Sequence, residues 1–139
     1  MPQHDRVIIA IDFDGTLVDN RYPEIGDPVP GAVETIRMLQ RADCYWILLT
    51  MRSGSFLSDA YAWCVARGLY PWALNRNPEQ HKWTSSPKVY AHWYIDDSAI
   101  GCPLLINPRP GGRPMVHWGG VRDLLPASCF MGGKDAQTV

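Results

Sequence analysis

The sequence predicts an α/β protein, a single domain built on a parallel sheet with helices on both faces. Three observations carry this expectation. Short apolar runs of strand length alternate with segments whose apolar residues recur at helical spacing. The connections between strand and helix segments are short, as in a parallel sheet wound with helices. The chain has 139 residues, 46% of them apolar and 19% charged, a single-domain length able to bury a core and too apolar for a disordered chain.

Arg6–Phe13 (RVIIAIDF) is the first run, ending in Asp and Gly as a buried parallel strand does. Pro30 and Gly31 then open a helix of about three turns, with Val33, Ile36 and Leu39 on its apolar stripe. Tyr45–Leu49 is the second strand and stops at Thr50. Phe56, Leu57, Ala60, Tyr61 and Cys64 form the next helical stripe, which Gly68 terminates. Trp72–Asn75 is a short third strand, and the polar stretch Arg76–Pro87 a long surface loop. His92–Ile95 is a further strand running into Asp96 and Asp97, and Pro103–Asn107 the last one. Val121–Leu125 is a short helix stopped by Pro126. Residues 1–126 are thus expected to form the folded core and 127–139 a flexible tail. Trp46, Trp63 and Trp93 sit in apolar patterns and are expected inside.

Charge and cysteine usage exclude several classes. Thirteen Lys and Arg against fourteen Asp and Glu leave a formal charge of −1, so no global field draws nucleic acid or an acidic membrane. Arg109, Arg113 and Arg122 read as scattered solvated side chains. Cys44, Cys64, Cys102 and Cys129 stand singly with no C-x-x-C pair, the pattern of reduced thiols in a cytoplasmic protein. The apolar run near the N-terminus is short and interrupted by Asp12, so neither a signal peptide nor a membrane span is expected. His4, His81, His92 and His117 share no metal spacing.

The polar residues in need of explanation fall at the carboxyl ends of the strands, where parallel sheets bind ligands. Asp12 and Asp14 are two apart, so both can face one site while Phe13 packs the other way. Carboxylates that close repel unless a cation or proton lies between them. Gly15 permits a sharp turn, and the N–H groups that follow, including that of Thr16, are placed to cradle an anion. A D-x-D-G-T run is expected by chance in roughly one chain in a thousand. Asp96, with Asp97 as a further ligand, completes an oxygen-rich site suited to Mg²⁺. Thr50, at a strand-to-helix turn, is a phosphate contact, and Arg52 offers a bidentate grip on the same anion. Lys88 is preferred over Lys82 as the cation that neutralises Asp12 and holds a transferred oxygen, because a short tether joins it to the Asp96 strand.

The order Asp12-x-Asp14-Gly15-Thr16, strand-Thr50, Lys88, strand-Asp96-Asp97 resembles that of the haloacid dehalogenase (HAD) superfamily, whose four motifs it matches between Asp12 and Asp97. The stretches LLTMRSG, NRNP and SPKVYAHWYIDD are similar to a small capless subgroup of bacterial phosphatases within it. The resemblance implies a Rossmann-like HAD fold and a phosphomonoester hydrolase. Asp12 would be the nucleophile that forms an aspartyl-phosphate, and Asp14 the general acid and then base. Thr50 and Lys88 would bind the phosphoryl group. Asp12, the Asp14 main-chain carbonyl and Asp96 would hold Mg²⁺. A second Asp two residues after the first implies a phosphatase or mutase in this superfamily, rather than a dehalogenase or P-type ATPase.

Residues 17–49 and 51–87 are largely used by predicted helices and strands, leaving room for a flap at Leu17–Val29 and for loops, but for no sizeable cap domain. An open site admits a small phosphorylated substrate or a bulky, even macromolecular one. The alternatives are a phosphotransferase or mutase with the same chemistry, and a catalytically weak phospho-ligand-binding module. A receiver domain also uses Asp, Thr and Lys around Mg²⁺, but its acidic pair leads the chain, whereas the adjacent pair comes last here.

Overall fold

The computed structural model describes residues 6–131. Strands β1 (Ile8–Ile11), β4 (Tyr45–Leu48), β5 (Ala73–Leu74) and β6 (Trp93–Ile95) form one parallel sheet in the order β5-β4-β1-β6. Helices α1 (Ala32–Arg41) and α2 (Gly54–Ala66) connect β1 to β4 and β4 to β5, and α3 (Trp118–Leu124) follows the sheet. This is a mixed α/β, Rossmann-like domain. Among the described residues no helix is long and apolar enough to cross a membrane.

Alternation along the strands builds two cores. Ile9, Ile11, Trp46 and Leu48 point to one face and pack with Ile36 and Leu39 of α1, Ala60, Trp63 and Cys64 of α2, and Trp118 and Val121 of α3. Ile8, Ala10 and Ile47 point to the other and pack with Ala91, Trp72 and Val89. The cover on that second face is the 72–91 segment, whose helical content is the 3-10 turn Gln80–Lys82.

Two hairpins extend the sheet protein. Val18–Arg21 (β2) and Glu24–Pro28 (β3) pair antiparallel directly after the Asp12–Thr16 turn, filling the region expected to be a flap. Leu104–Leu105 (β7) pairs antiparallel with Met115–Val116 (β8). The Pro103–Asn107 run is therefore a hairpin arm and not a strand of the main sheet. Its partner Met115–Val116 carries too short an apolar run to signal a strand.

Three further expectations are corrected. Trp93 is 43% exposed, because β6 is the outermost strand of the sheet and its outward residues lack a covering layer. In α2 the stripe turns toward Ala60, Trp63 and Cys64, leaving Phe56 and Tyr61 exposed. Residues 127–131 are not a loose tail: Ala127–Cys129 forms a 3-10 turn, Cys129 is 1% exposed, and its carbonyl accepts the Cys44 thiol at 3.1 Å. Residues 132–139 of that predicted tail lie outside the described residues. All four cysteines are free thiols.

Candidate active site

Parallel pairing puts the carboxyl ends of β1, β4 and β6 on one edge. Asp12 and Asp14 follow β1, Thr50 follows β4, and Asp96 and Asp97 follow β6. Connections from β1 leave toward β4, while β6 lies on its other side, so the order reverses between β1 and β6. Open α/β sheets bind ligands in the crevice at such a reversal. Here that crevice is an open cleft of about 590 Å³ lined by all five residues, with Asn20 and Tyr22 of the flap and Arg113 of the second hairpin on its walls.

One carboxylate oxygen from each of Asp12, Asp96 and Asp97 lies within 4.8 Å of the others. Asp12 Oδ2 accepts the Thr16 hydroxyl at 3.2 Å, and Thr16 Oγ1 accepts the Asp97 main-chain N–H at 3.2 Å. A Cβ on Gly15, whose φ is +84°, would overlap the Asp97 carboxylate. Glycine is required there both by the left-handed backbone and by the close approach of the third acid. Burial pushes Asp12 up to about 8 from its ordinary 3.8, helped by the Asp96 charge and a hydrogen bond with Asp97. Burial also raises Asp97. Three oxygen ligands in a site that cannot carry its own negative charge fit a hard divalent cation.

Folded Asp12 keeps its proton to about pH 8, whereas the unfolded chain releases it near 3.8. The native state binds more protons across that window, so the metal-free fold loses stability as pH rises through it. Differential scanning fluorimetry in EDTA should show the midpoint falling by several degrees as pH rises from about 5 to about 8. Mg²⁺ should restore it most at the upper end. A midpoint insensitive to pH and to Mg²⁺ would contradict the charge frustration.

Thr50 is nearly buried. Its N–H donates to Asn75 Oδ1 at 2.7 Å and its Oγ1 accepts the Arg52 N–H at 3.1 Å, leaving the hydroxyl proton to point elsewhere. Asn75, in left-handed backbone at φ 56°, is a positioning residue that sequence patterning missed. Its only local mark is Asn at the end of a short strand.

The structure reassigns four predicted contacts. Gly15 and Thr16 offer no anion cradle: the Gly15 N–H donates to Val18 O at 2.7 Å, the Thr16 N–H to Phe13 O at 3.1 Å, and Thr16 is fully buried. Arg52 is 2% exposed and does not hold out a guanidinium for phosphate. Its Nε and Nη2 grip both oxygens of Asp14 at 2.9 and 2.8 Å, and Nη1 and Nη2 donate to the carbonyls of Pro23 and Glu24. Lys88 precedes β6 on its amino-terminal side, with its ammonium 5.8 Å from the Tyr94 ring centre, in a different cleft with Trp83 and Tyr90. The tether to Asp96 runs along the strand and carries Lys88 away from the carboxylates. Lys82 does not line the carboxylate cleft either.

Fold and site together define a Rossmann-like α/β protein with an acidic, oxygen-lined crevice at its topological switch point. The chain belongs to the family of a conserved protein coded by a locus of Bacteroides thetaiotaomicron, whose solved structure is 40% identical in sequence and superposes with a TM-score of 0.69. The match covers 86% of this chain and 88% of that one. No protein-family model and no curated protein matches the chain.

Proposed function

We propose that this protein is a Mg²⁺-dependent phosphomonoester hydrolase of the HAD type that works through an aspartyl-phosphate on Asp12. The observation that supports this reading most is the convergence of Asp12, Asp96 and Asp97 beside Thr50 in one open cleft. Asp12 attacks phosphorus in line, the bond to the alcohol oxygen breaks, and Asp14 protonates that leaving oxygen. Asp14 then takes a proton from water as it attacks phosphorus, releasing phosphate and restoring Asp12. The Thr50 hydroxyl donates to a phosphoryl oxygen, oriented by the bond it accepts from the Arg52 N–H. Asp12, Asp96 and Asp97, with the Asp14 carbonyl that the resemblance adds, would hold Mg²⁺, which supplies the positive charge that lets an anionic nucleophile approach a phosphate dianion.

Arg52 sets where Asp14 stands. To serve the leaving group, Asp14 exchanges one of its two guanidinium bonds for the substrate oxygen. That occupied carboxylate also favours a second reading, a phospho-ligand-binding module that does not turn over. The two part in one measurement: p-nitrophenyl phosphate should be hydrolysed with Mg²⁺, and hydrolysis should stop with EDTA and return with added Mg²⁺. No turnover across a broad panel of phosphate esters would favour the binding module. The open cleft, with Tyr22 and the 98% exposed Met51 at its rim, admits a small substrate or a bulky leaving group. Four free thiols suit a reducing compartment, the cytoplasm.

A further inference from the structure

The carboxylate-lined cleft has one electrostatic problem as a hydrolase site. A phosphate ester entering the cleft meets the carboxylates of Asp12, Asp14, Asp96 and Asp97. Arg and Lys side chains that clamp the non-bridging oxygens stabilise phosphoryl transfer alongside metal charge. Lys88 and Lys82 lie outside the cleft, and the Arg52 guanidinium is spent on Asp14 and two carbonyls. Of the basic side chains on the cleft wall this leaves Arg113.

Arg113 is exposed, and its guanidinium makes no hydrogen bond among the described residues, while its main chain is firmly held. Asn107 Nδ2 donates to the Arg113 carbonyl at 3.0 Å and to Asp19 Oδ1 at 2.7 Å. Arg109 Nε donates to Asp19 Oδ2 at 2.7 Å, and the Gly112 N–H donates to Arg109 O at 2.9 Å. A Cβ on Gly112 would overlap the Asn107 amide, so the loop closes tightly there. At the hairpin's far end the Val116 N–H donates to the carbonyl of Gly15 in the carboxylate turn. Asp19 is nearly buried, with the Arg109 hydrogen bond foremost in holding its carboxyl below the ordinary range. The loop is thus bolted both to the flap and to the turn that carries Asp12 and Asp14.

We propose that Arg113 is the phosphate-binding cation of this site, donating to the non-bridging oxygens of the substrate in the role that motif order gives to Lys88. The proposal rests on the phosphohydrolase reading for its reaction, but on cleft geometry alone for anion binding. A fixed backbone with a free guanidinium suits a residue that orders on its ligand, and a guanidinium fork matches two phosphate oxygens. Its charge also acts on Asp97, lowering that carboxyl against the rise due to burial. Arg113 follows the last acidic pair in sequence, so no motif order marks it. The turn Pro110-Gly111-Gly112 that returns the chain to the sheet edge is its only sign.

The test uses inorganic phosphate as ligand, titrated calorimetrically into the full chain with Mg²⁺, alongside p-nitrophenyl phosphate kinetics. Arg113→Ala should weaken phosphate binding and raise KM about 10- to 100-fold, the worth of a charge-assisted bidentate contact. Arg113→Lys should recover part of it, and the thermal midpoint should hold. Lys88→Ala should change both within about twofold. If Arg113→Ala binds phosphate as tightly as wild type, or Lys88→Ala carries the loss instead, the proposal is overturned. Wild-type chain that binds phosphate through Arg113 but hydrolyses nothing would sink the hydrolase reading and keep this one. Absence of phosphate binding by the wild type would overturn both.

Discussion

Asp12→Asn is expected to lower Mg²⁺-dependent hydrolysis of p-nitrophenyl phosphate by about a thousandfold or more, because an amide oxygen cannot take over as the covalent nucleophile. The same change should leave the metal-free protein as stable as wild type, or more stable, at pH 8. Asp12 is held near neutrality by burial, by the Asp96 charge and by Asp97, so an uncharged isostere removes repulsion without emptying the space. Asn Oδ1 can still accept the Thr16 hydroxyl that Asp12 Oδ2 accepts now. Opposite signs in activity and stability separate a reacting group from a structural one: a residue needed only for folding would lose both together. Steady-state kinetics and thermal denaturation on one preparation read the two effects. Activity retained within tenfold in Asp12→Asn would remove Asp12 from the chemistry, whatever the metal does.

Much of this arrangement is legible from local pattern. The run VIIAI is continuous enough to be a strand buried on both faces, and D-x-D-G-T at its end places two acids and a turn at the sheet edge. Asp96 and Asp97 follow an apolar strand by the same logic, and parallel pairing then brings them to Asp12. Local pattern fails where the outcome depends on remote partners. Nothing in Thr50-Met51-Arg52-Ser53 distinguishes a solvated guanidinium from one buried against Asp14, Pro23 and Glu24, since those partners come from another segment. The N–H groups after Gly15 look free as a sequence, but Val18 O and Phe13 O occupy them once the flap folds back. Chain proximity points to Lys88, yet an extended strand separates its two ends. Among the described residues the cleft-wall guanidinium without a hydrogen bond, Arg113, arrives on a hairpin whose second arm is two residues long. Trp93 shows the same limit, because an apolar run does not say whether its strand will be central or outermost.

Arg52→Ala is expected to produce the largest loss of stability of any single substitution in the site, about 3–5 kcal/mol, the range for removing one partner of a buried ion pair. The side chain is 1% exposed and its partner Asp14 15%. Alanine would leave the Asp14 carboxylate without its 2.8 and 2.9 Å guanidinium bonds and remove the guanidinium donors from the carbonyls of Pro23 and Glu24. It would also empty the space between the rings of Phe13 and Tyr22, each centred 5.1 Å from the guanidinium carbon. For a chain of this size the midpoint should fall by about 10–20 °C. Arg52→Lys keeps a charge but loses the fork and most of the carbonyl bonds, so it should fall between the two. The effect has a local signature. Pro23 and Glu24 sit at the tip of the β2–β3 hairpin, so Arg52 is the tie between flap and carboxylates. Hydrogen exchange in residues 18–28 should accelerate in Arg52→Lys at temperatures where the sheet remains protected. If most of the loss comes from the unpaired Asp14 charge, Asp14→Asn placed on Arg52→Ala should recover part of it, and the two losses will not add. Strict additivity, or a loss under about 1 kcal/mol, would mean that water reaches the guanidinium pocket and that Arg52 does not hold the flap to the site.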